Sequence, residues 1–137
     1  MGRFEEATAA YYQSIELERG GAGRASTYMY LGQSLQESGN RQGAIEAIKK
    51  SIDLDPDQPE MFYNLGNLHY ANDQFDLAVR AYGQAIGLSG EKVQFHLHLA
   101  HALRAVGDLQ GAEQGYRRAA ELGVDDVEGY LTLRRFY

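Results

Sequence analysis

Residues 59–92 read PEMFYNLGNLHYANDQFDLAVRAYGQAIGLSGEK, and this stretch aligns with its neighbours on both sides when the chain is shifted by 34 residues. Small or apolar residues then fall into five columns. The columns are Leu31, Leu65 and Leu99; Gly32, Gly66 and Ala100; Ala44, Ala78 and Ala112; Ser51, Ala85 and Ala119; and Leu54, Leu88 and Leu122. A repeat of this length predicts helical hairpins stacked into a solenoid, because each unit buries its apolar face only against its neighbours.

The spacing of apolar residues within one unit predicts two helices. In the first unit they recur every three or four residues, as at Tyr28, Leu31 and Leu35, which is a helical period. Hairpin turns are predicted at 38–40, 72–74 and 106–108. There, Gly or Asp can adopt the left-handed backbone conformation, and Asn40 or Asp108 can cap the following helix. The predicted fold class is all-α.

The columns also carry a family resemblance. The first helices open on Tyr28/Leu31/Gly32, Phe62/Leu65/Gly66 and His96/Leu99/Ala100, and the units continue with Gly39, Phe75, Ala78, Tyr82, Gly107, Ala112 and Tyr116, with Asp55-Pro56 closing one of them. This pattern resembles the tetratricopeptide repeat, a helical hairpin of 34 residues. The resemblance implies a right-handed superhelical solenoid of antiparallel helix pairs, whose first helices line a concave groove. His96 and Ala100 depart from the usual aromatic and glycine.

The predicted domain organisation is one array over residues 1–137. Full repeats are expected at 25–58, 59–92 and 93–126, an unpaired second helix at 1–20 and an unpaired first helix at 127–137. Because the array begins and stops within repeats, we expect a fragment of a longer protein. The spacing from Ala7 to Ala44 exceeds one repeat by three residues, so the glycine-rich segment 19–24 is a candidate hinge.

Composition excludes several classes of function. The formal net charge is −6, with a pI near 5.1, so the chain lacks the basic surface that nucleic acids require. It contains no cysteine, which excludes disulfides and thiolate chemistry. No apolar run is long enough to span a membrane, and the N-terminus lacks the pattern of a secretory signal. We therefore expect a cytoplasmic protein without membrane insertion.

A partner protein or peptide is expected in the concave groove implied by the family resemblance. The predicted contact residues on the first helices are Tyr30, Gln33, Tyr63, Asn64, Asn67, Tyr70, His98, His101 and Arg104. The column of Gln33, Asn67 and His101 offers hydrogen-bond donors and acceptors suited to the backbone of an extended peptide. The tyrosines add flat amphipathic area of the kind that dominates binding energy. The alternative is that these side chains form an ordinary solvated face.

The family resemblance also allows one ligand class, the acidic tails of heat-shock chaperones, to be checked against the residues of this chain. Relatives that grip the acidic tail of heat-shock chaperones use Lys, Asn and Arg on these columns. This chain keeps Asn64 and Asn67 but has Met29, Tyr63 and Leu97 where a lysine would stand, and Glu60 where another would. The chaperone tail is therefore disfavoured. The mixed charges of Glu37, Glu60, Glu128, Arg104 and Arg135 favour a neutral or mildly basic segment.

His96, His98 and His101 are candidate metal ligands because they lie within six residues of each other, but their spacing does not favour a metal site. His98 and His101 can share a helix face, whereas His96 occupies the packing column of Tyr28 and Phe62. Zinc needs a third protein ligand, so two imidazoles make a weak site. We predict neither a metal nor another cofactor.

Two alternatives to a simple scaffold remain open. The sequence contains no cluster of nucleophile, base and acid and no phosphate-binding glycine loop, so the chain itself is predicted to be non-catalytic. It could still be the targeting arm of a larger enzyme. The two unpaired terminal helices are the halves of one unit, so chains could also assemble end to end. The last helix keeps apolar residues that favour such assembly, namely Val127, Tyr130, Leu131, Leu133 and Phe136.

Overall fold

The computed structural model describes residues 2–17 and 22–123 of the chain. Over this part of the chain the regular secondary structure is entirely helical, which confirms the predicted all-α class. The helices are α1 (Gly2–Leu17), α2 (Ala22–Glu37), α3 (Arg41–Leu54), α4 (Pro59–Ala71), α5 (Phe75–Leu88), α6 (Val93–Ala105) and α7 (Leu109–Glu121).

The helices pack in chain order, as a solenoid requires. The pairs α2/α3, α4/α5 and α6/α7 form hairpins, and α3 against α4 and α5 against α6 join one hairpin to the next. Helix α1 packs on α2 in the place of a preceding second helix. The first helices α4 and α6 also touch, so successive first helices line one side of the array. The predicted helical solenoid is confirmed.

The hydrophobic core runs along the array in three linked clusters. The largest joins α2, α3 and α4 and includes Leu31, Ile48 and Leu68, each at most 2% exposed. A second cluster, around Tyr82, lies between α4, α5 and α6, and a third, around Tyr116, lies between α6 and α7. Each cluster is shared by neighbouring helices, and the first two also join one hairpin to the next, as expected for a stacked repeat.

Three tight turns close the hairpins, at the positions that the sequence predicts. Gly39 and Gly107 have φ of 89° and 92°, and Asp73 takes the same left-handed region at 59°. The side chains of Asn40 and Asp108 accept hydrogen bonds from the backbone N–H three residues later, at 3.0 and 2.9 Å, and so cap α3 and α7. These turns confirm the predicted left-handed positions and caps.

The connections between hairpins depend on side-chain anchors. His96 is buried in the aromatic packing column, and its Nε2 donates to the carbonyl oxygen of Gly90 at 2.9 Å. This bond holds the loop between α5 and α6. At the preceding junction Pro59 occupies the start of α4, where its missing N–H has no helical partner to lose.

Two predicted segments fall on residues that the structure does not describe. The unpaired first helix predicted at 127–137 lies outside the described ranges. Of the candidate hinge at 19–24, residues 22–24 open α2, and residues 19–21 lie outside the described ranges.

Candidate functional site

The nine predicted contact residues lie on the three described first helices. They are Tyr30 and Gln33 on α2; Tyr63, Asn64, Asn67 and Tyr70 on α4; and His98, His101 and Arg104 on α6. Tyr30, Gln33, Tyr70 and Arg104 are exposed, whereas the other five are half-buried. We call the surface that these nine residues form the groove face.

An aromatic contact joins the groove face of α4 to that of α6. The rings of Tyr63 and His98 meet edge to face, with their centroids 5.1 Å apart. Phe95 packs behind Tyr63 at 5.0 Å, and Tyr82 lies 5.9 Å from His98. Because edge-to-face packing favours one mutual orientation, these contacts fix how the two first helices sit side by side.

Buried tyrosines of the second helices hold two groove-face residues from below. The Tyr82 hydroxyl donates to Oδ1 of Asn67 at 2.5 Å. One repeat later, the Tyr116 hydroxyl lies 2.7 Å from Nδ1 of His101. The side chains of Tyr82 and Tyr116 are 0% and 1% exposed, so their hydroxyls reach the groove face from the core. Both tyrosines stand in repeat columns of the sequence, but the repeat pattern alone does not predict these hydrogen bonds.

Burial changes the ionisation of both tyrosines. It raises the pKa of Tyr82 well above its usual value near 10, and the neighbouring hydroxyls of Tyr63 and Tyr70 add to the shift. Burial also raises the pKa of Tyr116, against the opposing effect of Arg104. At neutral pH both hydroxyls therefore carry their protons and are able to donate.

The close approach of Tyr82 depends on the glycine column. A Cβ atom at Gly66 would lie 2.6 Å from the Tyr82 ring, so only glycine leaves room for the ring beneath α4. In the preceding repeat the facing residue is Ile48, which packs against Gly32. Ile48 has no hydroxyl, so Gln33 lacks the anchor that Asn67 has.

The first-repeat end of the groove face has its own aromatic contact. Tyr11 of α1 stacks on Tyr30, with centroids 6.0 Å apart and planes 20° from parallel. Tyr11 was absent from the predicted site. Its register could have revealed it, because Tyr11 lies four residues after Ala7, as Tyr82 does after Ala78, and so takes the Tyr82 position of the incomplete first unit.

The imidazoles on α6 are held by hydrogen bonds. Nδ1 of His98 donates to the carbonyl oxygen of Gln94 at 2.8 Å, because a carbonyl oxygen can only accept. The rings of His98 and His101 are 6.1 Å apart and nearly perpendicular. Among the described residues, no three His, Asp or Glu side chains are grouped so that they could hold a metal ion.

Charge on the groove side is sparse. Glu60 and Lys92 pair at 3.1 Å near the starts of α4 and α6, with both side chains about half exposed. Glu60 occupies one of the four positions where a chaperone-tail clamp would place lysine. At the other three, Leu97 is buried, and Met29 and Tyr63 are half-buried against the core clusters. Arg104 is exposed at the other end of α6.

Within the described ranges, no helix is both long enough and apolar enough to cross a bilayer.

Comparison with known proteins places the chain among helical-repeat proteins. A family model described as "TPR repeat" matches residues 32–73, and one described as "Tetratricopeptide repeat" matches residues 63–126. The BBSome complex member BBS4 of Xenopus tropicalis is 31% identical over 83 residues, which are 61% of this chain and 16% of that protein. The chain spans between 16% and 55% of the length of the curated relatives that it matches.

Solved structures share the fold over most of the chain. MamA superimposes with a TM-score of 0.91 at 24% identity, covering 99% of this chain and 78% of that one. The type III secretion chaperone SycD of Yersinia enterocolitica, solved in complex with a peptide of the translocator YopD, gives a TM-score of 0.71 at 26% identity. That match covers 81% of this chain and 85% of SycD. These structures share the fold, and the two family-model matches, which together span residues 32–126, show that the chain belongs to the tetratricopeptide repeat family.

Proposed function

We propose that this chain is a non-catalytic interaction module that binds an extended peptide segment of a partner protein on its groove face. The observation that carries the proposal is the line of polar and aromatic groups formed by Tyr63, Asn67, His98 and His101 across α4 and α6. Two of these four side chains are anchored from the core by buried tyrosines. Anchored groups lose little conformational entropy on binding, which favours their use as contacts.

The solved complex of SycD with a YopD peptide supports this proposal, because it shows a structural neighbour with a peptide ligand. The sparse charge of the groove face favours a segment that is neutral or mildly basic. Met29 and Leu97 pack against the core and offer no cation where a clamp for acidic tails has lysine. Glu60 is paired with Lys92, and Arg104 at the far end of α6 is the one charged residue among the nine of the groove face.

A peptide-display screen tests the proposal. Random dodecapeptides displayed on phage would be selected on the whole chain, and the enriched peptides would be titrated by fluorescence anisotropy. We expect the triple variant Asn64→Ala/Asn67→Ala/His101→Ala to weaken binding at least tenfold, because each lost hydrogen bond typically weakens binding several-fold. Circular dichroism would confirm that the variant keeps its helices.

A matched triple variant of the second helices provides the control. Arg80, Gln84 and Gln110 are exposed polar residues of α5 and α7 and lie outside the groove face. Their replacement by alanine is expected to leave affinity within twofold of the wild type. Equal losses in both triple variants, or a loss in the control alone, would show that the peptide uses another face. A screen that enriches no peptide would refute the proposed function itself.

A further inference from the structure

The hydrogen bond between Tyr82 and Asn67 decides which atoms Asn67 presents to the groove. Tyr82 is completely buried, and in the part of the chain that the structure describes, its hydroxyl bonds only to Oδ1 of Asn67. If the Asn67 amide were turned over, its NH2 group would face the hydroxyl instead. The hydroxyl proton would then have no acceptor, and an unsatisfied buried donor is costly. The buried tyrosine therefore favours one orientation of the amide.

In that orientation the NH2 group of Asn67 points away from the core. Asn67 is half-buried, and within the described ranges its Nδ2 has no hydrogen-bond acceptor and is not among the buried unsatisfied atoms. The groove face therefore offers an N–H donor at this position, backed by a neutral hydroxyl. Peptide carbonyl oxygens are the most frequent acceptors on an extended chain.

We propose that Tyr82 is a positioning residue, which orients the Asn67 amide so that it donates a hydrogen bond to a main-chain carbonyl of the bound peptide. The inference rests on the proposed function and adds a direction to the hydrogen bond at Asn67. The oriented amide donates, so this position selects a hydrogen-bond acceptor on the peptide and rejects a donor. Tyr82 itself need not touch the ligand.

The contrast between repeats supports this assignment. Tyr116 and His101 repeat the arrangement 34 residues later, so the chain places a core hydroxyl under the same column twice. In the first repeat the column residue is Gln33 and the core residue is Ile48, and Gln33 is exposed. A merely structural tyrosine would not need its hydroxyl, because the isoleucine at the same position packs in the core equally well.

A ligand-free measurement tests the orientation. The side-chain NH2 signals of Asn67 would be recorded by 15N NMR in the wild type and in Tyr82→Phe, which keeps the ring and removes the hydroxyl. We expect Tyr82→Phe to move these signals. The control Tyr28→Phe, which removes a hydroxyl from a crevice formed with Lys50 on another side of the array, is expected to leave them in place. Unmoved Asn67 signals in Tyr82→Phe would overturn the inference without any ligand.

Binding measurements test the direction of this hydrogen bond, with the dodecapeptides enriched in the display screen as probes. Loss of the orienting bond in Tyr82→Phe is expected to weaken binding about three- to tenfold, the range of one net hydrogen bond. Asn67→Asp retains an acceptor for the Tyr82 hydroxyl but replaces the donor by a carboxylate, so it is expected to weaken binding further. Gln110→Glu adds the same charge on α7 and is expected to bind as the wild type does.

A thioamide scan of the probe peptide identifies the acceptor, since a thioamide sulfur accepts a hydrogen bond more weakly than a carbonyl oxygen. One substitution is expected to weaken binding to the wild type but not to Asn67→Ala, which is the coupling that a direct bond requires. If probes bind the groove face but Tyr82→Phe binds them equally well, the inference fails and the proposed function stands. If Asn67→Asp binds more tightly, the direction of the hydrogen bond is reversed and the inference is wrong.

Discussion

At the scale of single residues, Gly66 is where the fold and the groove face depend on each other most directly. Its absent side chain makes room for the Tyr82 ring, which a Cβ would approach to 2.6 Å. Both residues are buried, so neither can move away cheaply. Gly66→Ala is expected to lower the free energy of unfolding by about 1–3 kcal/mol through overpacking.

Gly83 provides the matched comparison on α5. A Cβ there would meet nothing within 4 Å, so Gly83→Ala is expected to raise the free energy of unfolding by about 0.5–1 kcal/mol through helix propensity. Urea unfolding followed by circular dichroism measures both variants. If Gly66→Ala stabilised the chain as Gly83→Ala does, the close approach of Tyr82 to α4 would be disproved.

Tyr82 makes stability depend on pH in the alkaline range. Burial raises its pKa well above 10, so the unfolded chain releases this proton near pH 10 while the folded chain retains it to higher pH. The stabilising contribution is therefore complete below pH 10 and is lost as pH rises further, by about 1.4 kcal/mol per pH unit for one such group. Urea midpoints between pH 8 and 11 are expected to fall less steeply in Tyr82→Phe.

The exposed Tyr12 supplies the control for this pH dependence, because its side chain is 51% exposed. Tyr12→Phe is expected to keep the slope of the wild type. A decline in Tyr82→Phe that runs parallel to the wild type above pH 10 would show that the buried hydroxyl is not the group responsible.

At the scale of the elements, helix periods and turns could be predicted from the sequence because they depend on local chemistry. Gly39 and Gly107 were expected to take positive φ, and Asn40 and Asp108 were expected to cap, since these residues act on their own turn of backbone. Asp73 takes the same left-handed backbone conformation at the middle turn, where the chain has no glycine. The repeat columns likewise placed the predicted contact residues on the first helices.

The pairing of side chains between helices could not be predicted in the same way. Register shows that Tyr82 and Asn67 belong to facing helices, but whether the hydroxyl reaches the amide depends on how closely the ring approaches α4 at Gly66. Tyr11 was missed for a related reason: its place in the repeat follows from the sequence, but its stacking on Tyr30 depends on how α1 packs against α2. Packing geometry, which depends on several helices at once, carries both features.

At the scale of the whole molecule, stability is distributed along the array. Two of the core clusters are shared by neighbouring hairpins and the third lies within the α6/α7 hairpin. The stability of such a solenoid is approximately the sum of its units and their nearest-neighbour interfaces. Leu31, which is 2% exposed, belongs to the cluster of α2, α3 and α4, whereas Leu97, which is 7% exposed, belongs to that of α6 and α7. Truncation of Leu31 and truncation of Leu97 should therefore destabilise different parts of the molecule.

Hydrogen exchange followed by mass spectrometry distinguishes local from global loosening. Replacement of a buried leucine by alanine costs about 2–5 kcal/mol. We expect Leu31→Ala to reduce amide protection mainly in α2, α3 and α4, and Leu97→Ala mainly in α6 and α7, because a lost contact weakens the helices of its own cluster first. The critical result is that each variant loses protection in the helices that the other variant leaves protected. If both variants lowered protection equally in every helix, the array would unfold as one cooperative unit, and binding at one repeat would then be coupled to the stability of all the others.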